Sequence, residues 1–334
     1  MKKLFTILLT IFVNMNLQAQ INIYSHRHYE SDKILFKKFT DQTGIKINVI
    51  KGSADQLIER LVSEGNNSPA DILLTVDAGR LYRAKAAGIL QPVESKKINE
   101  NVPSSMRDPD GHWFGLTVRA RVLVYSKERV KPSQLSTYED LATRKWRGKI
   151  AVRSSSNIYN QSLMASMIEA NGSRKALSWA KSVRKNMARA PRGSDRDQAR
   201  AVAAGLADVA IMNTYYLGIL ANSSDEKDRE VFKKVSVFFP NQEDRGTHIN
   251  ISGAGITKSS KNKKDAIRFL EFLTGTESQK IFGSVNYEYP IKIETNQSEL
   301  LNSWGSFTYD TLNLSILGSN NAEAVKLFDK AGWE

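Results

Sequence analysis

Two adjacent tyrosines, Tyr215 and Tyr216, are the side chains whose type and position most strongly suggest chemistry in this sequence. They follow a short apolar run, 209–212, that predicts a buried strand. Ligands of open α/β sheets usually bind at the carboxyl ends of strands, so this pair stands where a ligand would lie. The chain contains no cysteine, so a transition-metal site would have to use oxygen or nitrogen donors. Phenolate is a hard oxygen donor, which favours a hard, highly charged cation such as Fe(III).

Tyrosines also follow predicted strands in two other parts of the chain. Tyr29, preceded by His28, comes after an apolar strand predicted at 21–24, and Tyr159 comes after a strand predicted at 149–153. A single tyrosine in a loop is usually a packing residue whose hydroxyl is hydrogen bonded. Because all three positions follow strand ends, however, we expect them to face one cleft of a two-lobed α/β protein.

The amino terminus has the pattern of a secretory signal peptide. Lys2 and Lys3 precede an apolar segment at 4–13, and a small-residue cleavage motif ends at Ala19. The apolar segment is too short to span a bilayer as a helix, and no cysteine follows it to carry a lipid anchor. We therefore expect residues 1–19 to be removed and the mature protein to be soluble and periplasmic.

Motifs of common enzyme and nucleotide sites are absent from the sequence. It contains no P-loop, no G-x-G-x-x-G after a strand, no G-x-S-x-G elbow and no H-E-x-x-H pair. The chain has four histidines, so few bases are available for a hydrolytic triad. We expect a protein that is not an enzyme.

The net charge is +13, and it falls to about +11 once Lys2 and Lys3 are removed. The charges are spread along the chain, and the densest basic cluster, 184–200, includes aspartates but no aromatic platform on which bases could stack. We therefore expect no nucleic-acid partner. The basic residues are interpreted as a solvated surface, with attraction to an anionic membrane as a further option.

Strand and helix patterns alternate along the mature chain. This alternation favours an α/β fold with a mostly parallel sheet that helices cover on both faces. Ser31 and Ser53 are expected to cap two helices of the first α/β run. Around 113–126 the alternation gives way to two extended segments, which Arg119 and Ala120 join.

Two α/β runs connected by extended crossovers predict two lobes with a hinge and a cleft between them. The crossovers are expected near 118–121 and 239–250. The N-lobe is then predicted to comprise residues 20–118 with about 245–291, and the C-lobe residues 119–244 with about 292–334.

Beyond these patterns, the chain resembles the periplasmic ferric-iron-binding proteins of ABC transporters, the "bacterial transferrins", over essentially its whole mature length. The most specific mark is the double tyrosine after Ile-Met-Asn-Thr at 211–214. Further similarity lies at 24–29, 70–77, 114–125, 146–150, 251–256 and 282–290. The resemblance implies a type II solute-binding protein that captures iron, mainly Fe(III). It also implies a monomer that delivers the iron to an ABC permease and its ATPase, and contacts the inner membrane through that permease.

The resemblance also implies a set of ligands. These are His28, Tyr29, Tyr159, Tyr215 and Tyr216. For His28, the alternative to coordinating the metal is to pack or to form a hydrogen bond next to the site. In one branch of the family the first position is His-Glu, and a synergistic anion completes the site. The sequence here departs from that pattern and resembles the tyrosine-rich branch that needs no anion. Arg119 resembles the family's cleft arginine.

Elementary electrostatics agrees with this ligand set. Tyrosine has an ordinary pKa near 10, so a phenol must lose its proton to a strongly charged cation before it can act as a phenolate ligand. Four phenolates around Fe(III) would carry a net charge of −1, which the permanently charged Arg119 would offset. Protons would compete with the metal below neutral pH, so we expect release by acid.

Three alternatives remain open from the residues. The protein could bind an organic anion or a polyamine without metal, in which case Tyr215 and Tyr216 would form a stacking platform. It could be an exported enzyme. It could also hold Fe(II) or another hard metal in the same site, because histidine and tyrosine accept several metals.

Overall fold

The computed structural model describes residues 19–27, 29–296 and 298–333. Its strands are β1 (Gln20–Ser25), β2 (Lys46–Lys51), β3 (Ile72–Val76), β4 (Phe114–Ser126), β5 (Ile150–Ala151), β6 (Val209–Asn213), β7 (Val235–Phe238), β8 (Ile249–Ile256) and β9 (Tyr289–Pro290). Its helices are α1 (Glu30–Thr43), α2 (Ala54–Glu64), α3 (Ala78–Ala86), α4 (Lys96–Asn101), α5 (Ile158–Asn171), α6 (Ser173–Asn186), α7 (Asp195–Ala203), α8 (Tyr215–Ala221), α9 (Glu226–Lys234), α10 (Lys263–Leu273), α11 (Thr276–Asn286), α12 (Glu299–Asn302), α13 (Ser315–Ser319) and α14 (Asn321–Ala331). Within these described ranges, no helix has both the length and the apolar character to cross a membrane.

Strand β4 connects two halves of the sheet. The strand order is β2-β1-β3-β8-β4-β6-β5, and β7 and β9 also pair with β4. The first part of β4, up to Ala120, pairs with β8, whereas the part from Arg121 pairs with β6 and β7. Every one of its 13 residues is buried. The two extended segments expected here are therefore a single continuous strand that runs through both halves.

The sheet is mixed, so the prediction of a mostly parallel sheet was wrong. Parallel pairing is confined to β1–β2, β1–β3 and β5–β6. All pairs made by β4, and the pair β3–β8, are antiparallel. The chain passes through the second half before it forms strand β8 in the first half. Strand β8 then runs antiparallel to β3. Local βαβ patterns predict only the pairs that a single helical crossover connects.

The start of α1 differs from the sequence prediction. The helix begins at Glu30 with Tyr29 at its N-cap position, and Ser31, which was expected to be the cap, is buried in the first turn. By contrast, Ser53 caps α2 as predicted, through a capping box with Gln56. The error at α1 arises because Tyr29 has extended backbone angles without a capping side chain, a geometry that sequence alone does not signal.

The carboxyl-terminal segment contacts both halves. Helix α13 packs against α3 and α5, and α14 packs against α5 and α6. The strand and helix patterns did not predict these two helices. The chain thus crosses between the halves a third time after β9.

Asp77 is a buried carboxylate that connects three distant segments. It precedes α3 with a φ of 80°, in the left-handed region that non-glycine residues rarely occupy. It accepts hydrogen bonds from the Gly79 backbone N–H at 2.9 Å, from Ser162 Oγ on α5 at 2.8 Å and from Asn250 Nδ2 on β8 at 2.8 Å. Burial raises the pKa of Asp77, although the charge of Arg80 and the hydrogen bonds from Ser162 and Gly79 oppose that shift. The carboxylate therefore joins α3, α5 and β8 at the junction of the halves.

Replacement of Ser162 tests this junction. We expect Ser162→Ala to lower the free energy of unfolding by about 1.5–3 kcal/mol, because a buried carboxylate loses a donor. Ser166→Ala is a matched control, since Ser166 is equally buried but donates only to the Leu163 carbonyl of its own helix, at 2.8 Å. Its expected loss is about 0.5–1.5 kcal/mol. Urea unfolding of both variants measures the difference, and equal losses would contradict a special role for the Asp77 contact.

Candidate metal centre

The four tyrosines predicted as ligands all lie at the amino-terminal ends of helices. Tyr29 precedes α1, Tyr159 is in the first turn of α5, and Tyr215 and Tyr216 open α8. Each helix follows a strand, β1, β5 or β6, as the strand-end argument predicted. A helix amino terminus presents unpaired N–H groups and favours negative charge, so phenolates are stabilised in such positions. His28 lies outside the described residues.

The structure brings the four rings together. The ring centroids of Tyr215 and Tyr216 are 4.1 Å apart, and those of Tyr29 and Tyr215 are 6.3 Å apart in an edge-on arrangement. The guanidinium carbon of Arg119 lies 5.4 Å from the Tyr215 ring centroid and 5.9 Å from that of Tyr159. Tyr29 comes from the half built on β1, and the other three rings come from the half built on β5 and β6. We call these four side chains the tyrosine cluster.

Three members of the tyrosine cluster, Tyr29, Tyr215 and Tyr216, have raised pKa values that favour the neutral phenol. Burial is the main cause that raises the pKa of Tyr215 far above its ordinary value, and the neighbouring phenols raise it further. Burial, assisted by Glu288, raises the pKa of Tyr29 to about 12. The pKa of Tyr216 is also raised, again mainly by burial. A ligand that needs phenolates must therefore displace protons from these hydroxyls, which requires a strongly charged cation.

Arg119 lies beside the cluster, but it is not a free counter-charge. Its Nη2 donates to Glu288 Oε1 at 2.6 Å and also to Ser252 Oγ. Its Nε and Nη1 are buried and have no hydrogen-bond partner in the described part of the chain. Burial alone would lower the pKa of Arg119, but Glu288 and the three nearby phenols outweigh that effect and raise it. Arg119 therefore stays charged, with part of its charge already offset by Glu288.

Glu288 holds two buried arginines and was missed by the sequence argument. It is fully buried, and besides Arg119 it accepts from Arg27 Nη1 at 3.0 Å. Arg27 in turn pairs with Asp32 at 2.9 Å and lies 4.7 Å above the centroid of the Tyr29 ring. No local pattern marks Glu288, because its partner Arg119 is 169 residues away in sequence.

A second basic group surrounds Tyr159 and was also missed. Arg121 and Arg153 lie 5.9 Å and 5.8 Å from its ring centroid. Both pair with the buried Asp195 at the start of α7, at 2.8 Å and 3.5 Å respectively. Arg121 also donates to Asn160 Oδ1 at 2.6 Å, which fixes it to the same turn of α5 as Tyr159.

These ionic contacts leave an excess of positive charge around the cluster. Each of four arginines lies within 6 Å of a cluster ring, and three carboxylates pair with them. The cations are Arg27, Arg119, Arg121 and Arg153, and the anions are Asp32, Asp195 and Glu288. Four arginines against three carboxylates leave one positive charge at the site, which therefore favours an added negative charge. Among these side chains, the tyrosine phenols could supply negative charge by losing their protons.

A different group of possible metal ligands, Asp108, Asp110 and His112, lies outside the tyrosine cluster. The ammonium of Lys85 already contacts both carboxylates, at 2.8 Å to Asp108 and 2.6 Å to Asp110. Asp108 also accepts from the backbone and ring nitrogens of His112. These contacts satisfy the group internally, so the tyrosine cluster is the stronger candidate.

Two α/β halves joined by a continuous strand, with polar side chains from both halves meeting between them, define a two-lobed binding protein. Residues 67–307 match the family described as bacterial extracellular solute-binding protein. Iron uptake protein A1 of Synechocystis is 50% identical over 95% of this chain and 88% of its own length.

Solved structures agree with this match. A Trichodesmium IdiA (FutA) protein in complex with iron and citrate is 53% identical, with a TM-score of 0.92 over 95% of this chain and 100% of the other. A ferric binding protein from Campylobacter jejuni is 46% identical, with a TM-score of 0.88 over 94% and 100% of the two chains. The protein belongs to the extracellular solute-binding family, within its group of iron-uptake and ferric-iron-binding proteins. The predicted fold class, a two-lobed type II binding protein, is confirmed.

Glu288 offers a direct test of the electrostatics. We expect Glu288→Gln to lower the free energy of unfolding by about 3–5 kcal/mol, because two buried guanidinium groups lose their shared carboxylate. Burial would raise the pKa of Glu288, but Arg27 and Arg119 outweigh it and hold the pKa below 4.5. Since the folded-state pKa is depressed, this stabilisation is present above pH 4.5 and is lost as the pH falls through the folded-state value.

Urea unfolding at several pH values separates this effect from a general one. The stability difference between wild type and Glu288→Gln should be constant near neutral pH and should narrow below about pH 4.5. Glu294→Gln, at an exposed position that follows β9, is the control and should change little. A difference that does not vary with pH would contradict the assignment of Glu288 as a buried counter-charge.

Proposed function

We propose that the protein captures Fe(III) between its lobes through the phenolates of the tyrosine cluster and delivers it to an ABC permease. The observation that carries this proposal is the meeting of Tyr29 with Tyr159, Tyr215 and Tyr216 next to four buried or half-buried arginines. Relatives named for iron uptake and ferric-iron binding, one solved with iron and citrate, support the choice of metal.

The proposed mechanism begins with proton displacement. Fe(III) meets neutral phenols, and each phenol that becomes a ligand releases its proton to solvent. The arginines around the rings remain charged and stabilise the phenolates that form. Because acid restores the phenols, protons compete with the metal and promote its release. His28 is a further candidate ligand in this proposal.

Closure of the lobes follows from the origin of the ligands. We assign residues 20–118 with about 245–291 to the N-lobe, and 119–244 with about 292–334 to the C-lobe. Tyr29 then belongs to the N-lobe and the other three tyrosines to the C-lobe. A metal that binds all of them favours the closed arrangement, with the hinge at the crossovers between the lobes. The closed form is the state that the permease would recognise.

The cellular setting completes the proposal. The protein acts in the periplasm as a monomer after cleavage at Ala19, and its partners are an ABC permease and its ATPase. It performs no chemistry on its cargo and is not an enzyme. The site does not favour a polyamine, since the charged groups around the rings carry an excess of positive charge. Fe(II) would use the same donors.

The colour of the loaded protein tests the ligands. Tyrosinate–Fe(III) charge transfer should give the wild type an orange to red colour after ferric loading, and the variant Tyr215→Phe/Tyr216→Phe should lose most of the visible band. Tyr309→Phe, outside the cluster, is the control and should keep it. A colourless wild-type protein after ferric loading, with metal analysis to confirm the load, would overturn the tyrosinate assignment.

A variant at Tyr29 distinguishes closure of the lobes from binding of the iron. We expect Tyr29→Phe to retain iron on the three tyrosines of the C-lobe but to close less completely, because the N-lobe loses its ligand. Small-angle scattering with and without iron measures closure, and the visible band reports binding in the same samples. If the radius of gyration of the wild type does not change on loading, the hinge model is wrong.

A further inference from the structure

The positive charge of the protein is concentrated in one segment. Residues 119–244 contain 23 lysines and arginines against 13 aspartates and glutamates, whereas the rest of the chain from residue 20 onward contains 23 against 22. Almost all of the net charge of about +11 therefore belongs to this segment. Charged residues of both signs occur along the whole chain, but only this segment has a large excess of positive ones.

Part of this charge lines a groove along α7. One section of the groove has a volume of about 430 Å³ and is bordered by Arg189, Arg192 and Arg200. The next section, of about 400 Å³, continues between α7 and α9, where Lys227 and Lys234 border it together with Glu226 and Glu230. The two sections share Arg200 and Ala204 and so form one continuous surface. We call this surface the α7 groove.

Two of the bordering arginines have no carboxylate partner within the described residues. Arg200 is paired, with Asp197 at 2.8 Å and Asp228 at 2.7 Å. Arg189 donates only to neutral oxygens, at 3.3–3.4 Å, and its buried Nε has no partner. Burial, together with the charge of Arg192, lowers the pKa of Arg189, although the nearby Asp197 opposes that shift. Arg189 and Arg192 repel each other, and a further anionic group placed near them would relieve that repulsion.

The lining of the α7 groove also includes small apolar residues. Ala201 and Ala204 are among them, so a second chain could approach the helix closely. Leu206 borders the groove with 58% of its surface exposed, which makes it one of few large apolar side chains so exposed in the described structure. The lining carries five cations against the three carboxylates Asp197, Glu226 and Glu230. Apolar residues beside this excess of positive charge fit a segment that carries both apolar and acidic side chains.

We propose that the α7 groove is a docking surface for an acidic, partly apolar periplasmic segment of the ABC permease. The proposal rests on the proposed function, which names that permease as the partner. The apolar residues of the lining, with the exposed Leu206 among them, favour a protein segment over lipid headgroups, which would use the cations alone. Helix α7 also begins with Asp195, which holds Arg121 and Arg153 beside Tyr159. The same helix therefore connects the groove to the candidate metal centre.

The test measures binding of the iron-loaded protein to its own permease–ATPase complex in nanodiscs of neutral phosphatidylcholine. We expect Arg189→Gln/Arg192→Gln to weaken this binding by about tenfold or more, and Leu206→Ser to weaken it as well. Arg174→Gln/Lys175→Gln on α6 is the matched control, because it removes the same charge from exposed positions in the same basic segment but outside the groove. This control should bind like the wild type.

Each outcome decides the proposal. Equal weakening by the groove and α6 variants would overturn it, since net charge alone would then govern binding. Unchanged binding of the groove variants would overturn it too. If the groove variants lose binding only to anionic phosphatidylglycerol vesicles without the transporter, and bind the transporter in nanodiscs like the wild type, the groove binds lipid and the proposal is overturned. Ferric loading of every variant is followed by its visible band, so failure of the wild type to take up iron would be recognised separately as failure of the proposed function.

Discussion

The burial of Glu288 between two arginines is the interaction on which the site depends. Taking guanidinium groups out of water is costly unless carboxylates and further hydrogen bonds replace the solvent. Glu288 does this for Arg27 and Arg119 together, and Asp195 does the same for Arg121 on the opposite side of the cluster. Because these carboxylates hold the cations in place, the tyrosine rings can be buried next to positive charge that is already fixed in position.

Strand β4 explains how one site can receive groups from both halves of the protein. Side chains two residues apart on a strand lie on the same face, so Arg119 and Arg121 point the same way. The sheet changes partner between them, with Arg119 opposite Asn250 of β8 and Arg121 opposite Asn213 of β6. One continuous strand, which also contains the proposed hinge near 118–121, therefore supplies one arginine from each half of the sheet to the tyrosine cluster. Because both arginines belong to one strand, Arg119 and Arg121 keep a fixed spacing although they lie in different halves of the sheet.

The sequence predicted the parts of the structure that depend on neighbouring residues. The strand before each tyrosine could be predicted from its apolar run, and the structure brings Tyr29, Tyr159 and Tyr215 together after those strands. Their role as ligands stays a prediction. The parts that depend on distant residues could not be predicted in this way. Glu288 and Asp195 act on arginines 169 and 74 residues away, and the antiparallel entry of β8 depends on the path of the whole second half. Conversely, Ser31 has the right residue type for a cap but the wrong backbone position.

The charges of the site also explain why a trivalent cargo suits it. The named arginines exceed their carboxylate partners by one positive charge. If all four phenols become phenolates, a trivalent ion makes the whole assembly neutral, whereas a divalent ion leaves one negative charge uncompensated in a desolvated site. Uncompensated buried charge is strongly unfavourable, so one phenol would remain protonated around a divalent ion and would coordinate it weakly. In the proposed site, the fixed arginines and carboxylates would therefore favour Fe(III) over Fe(II) as much as the phenolate donors themselves.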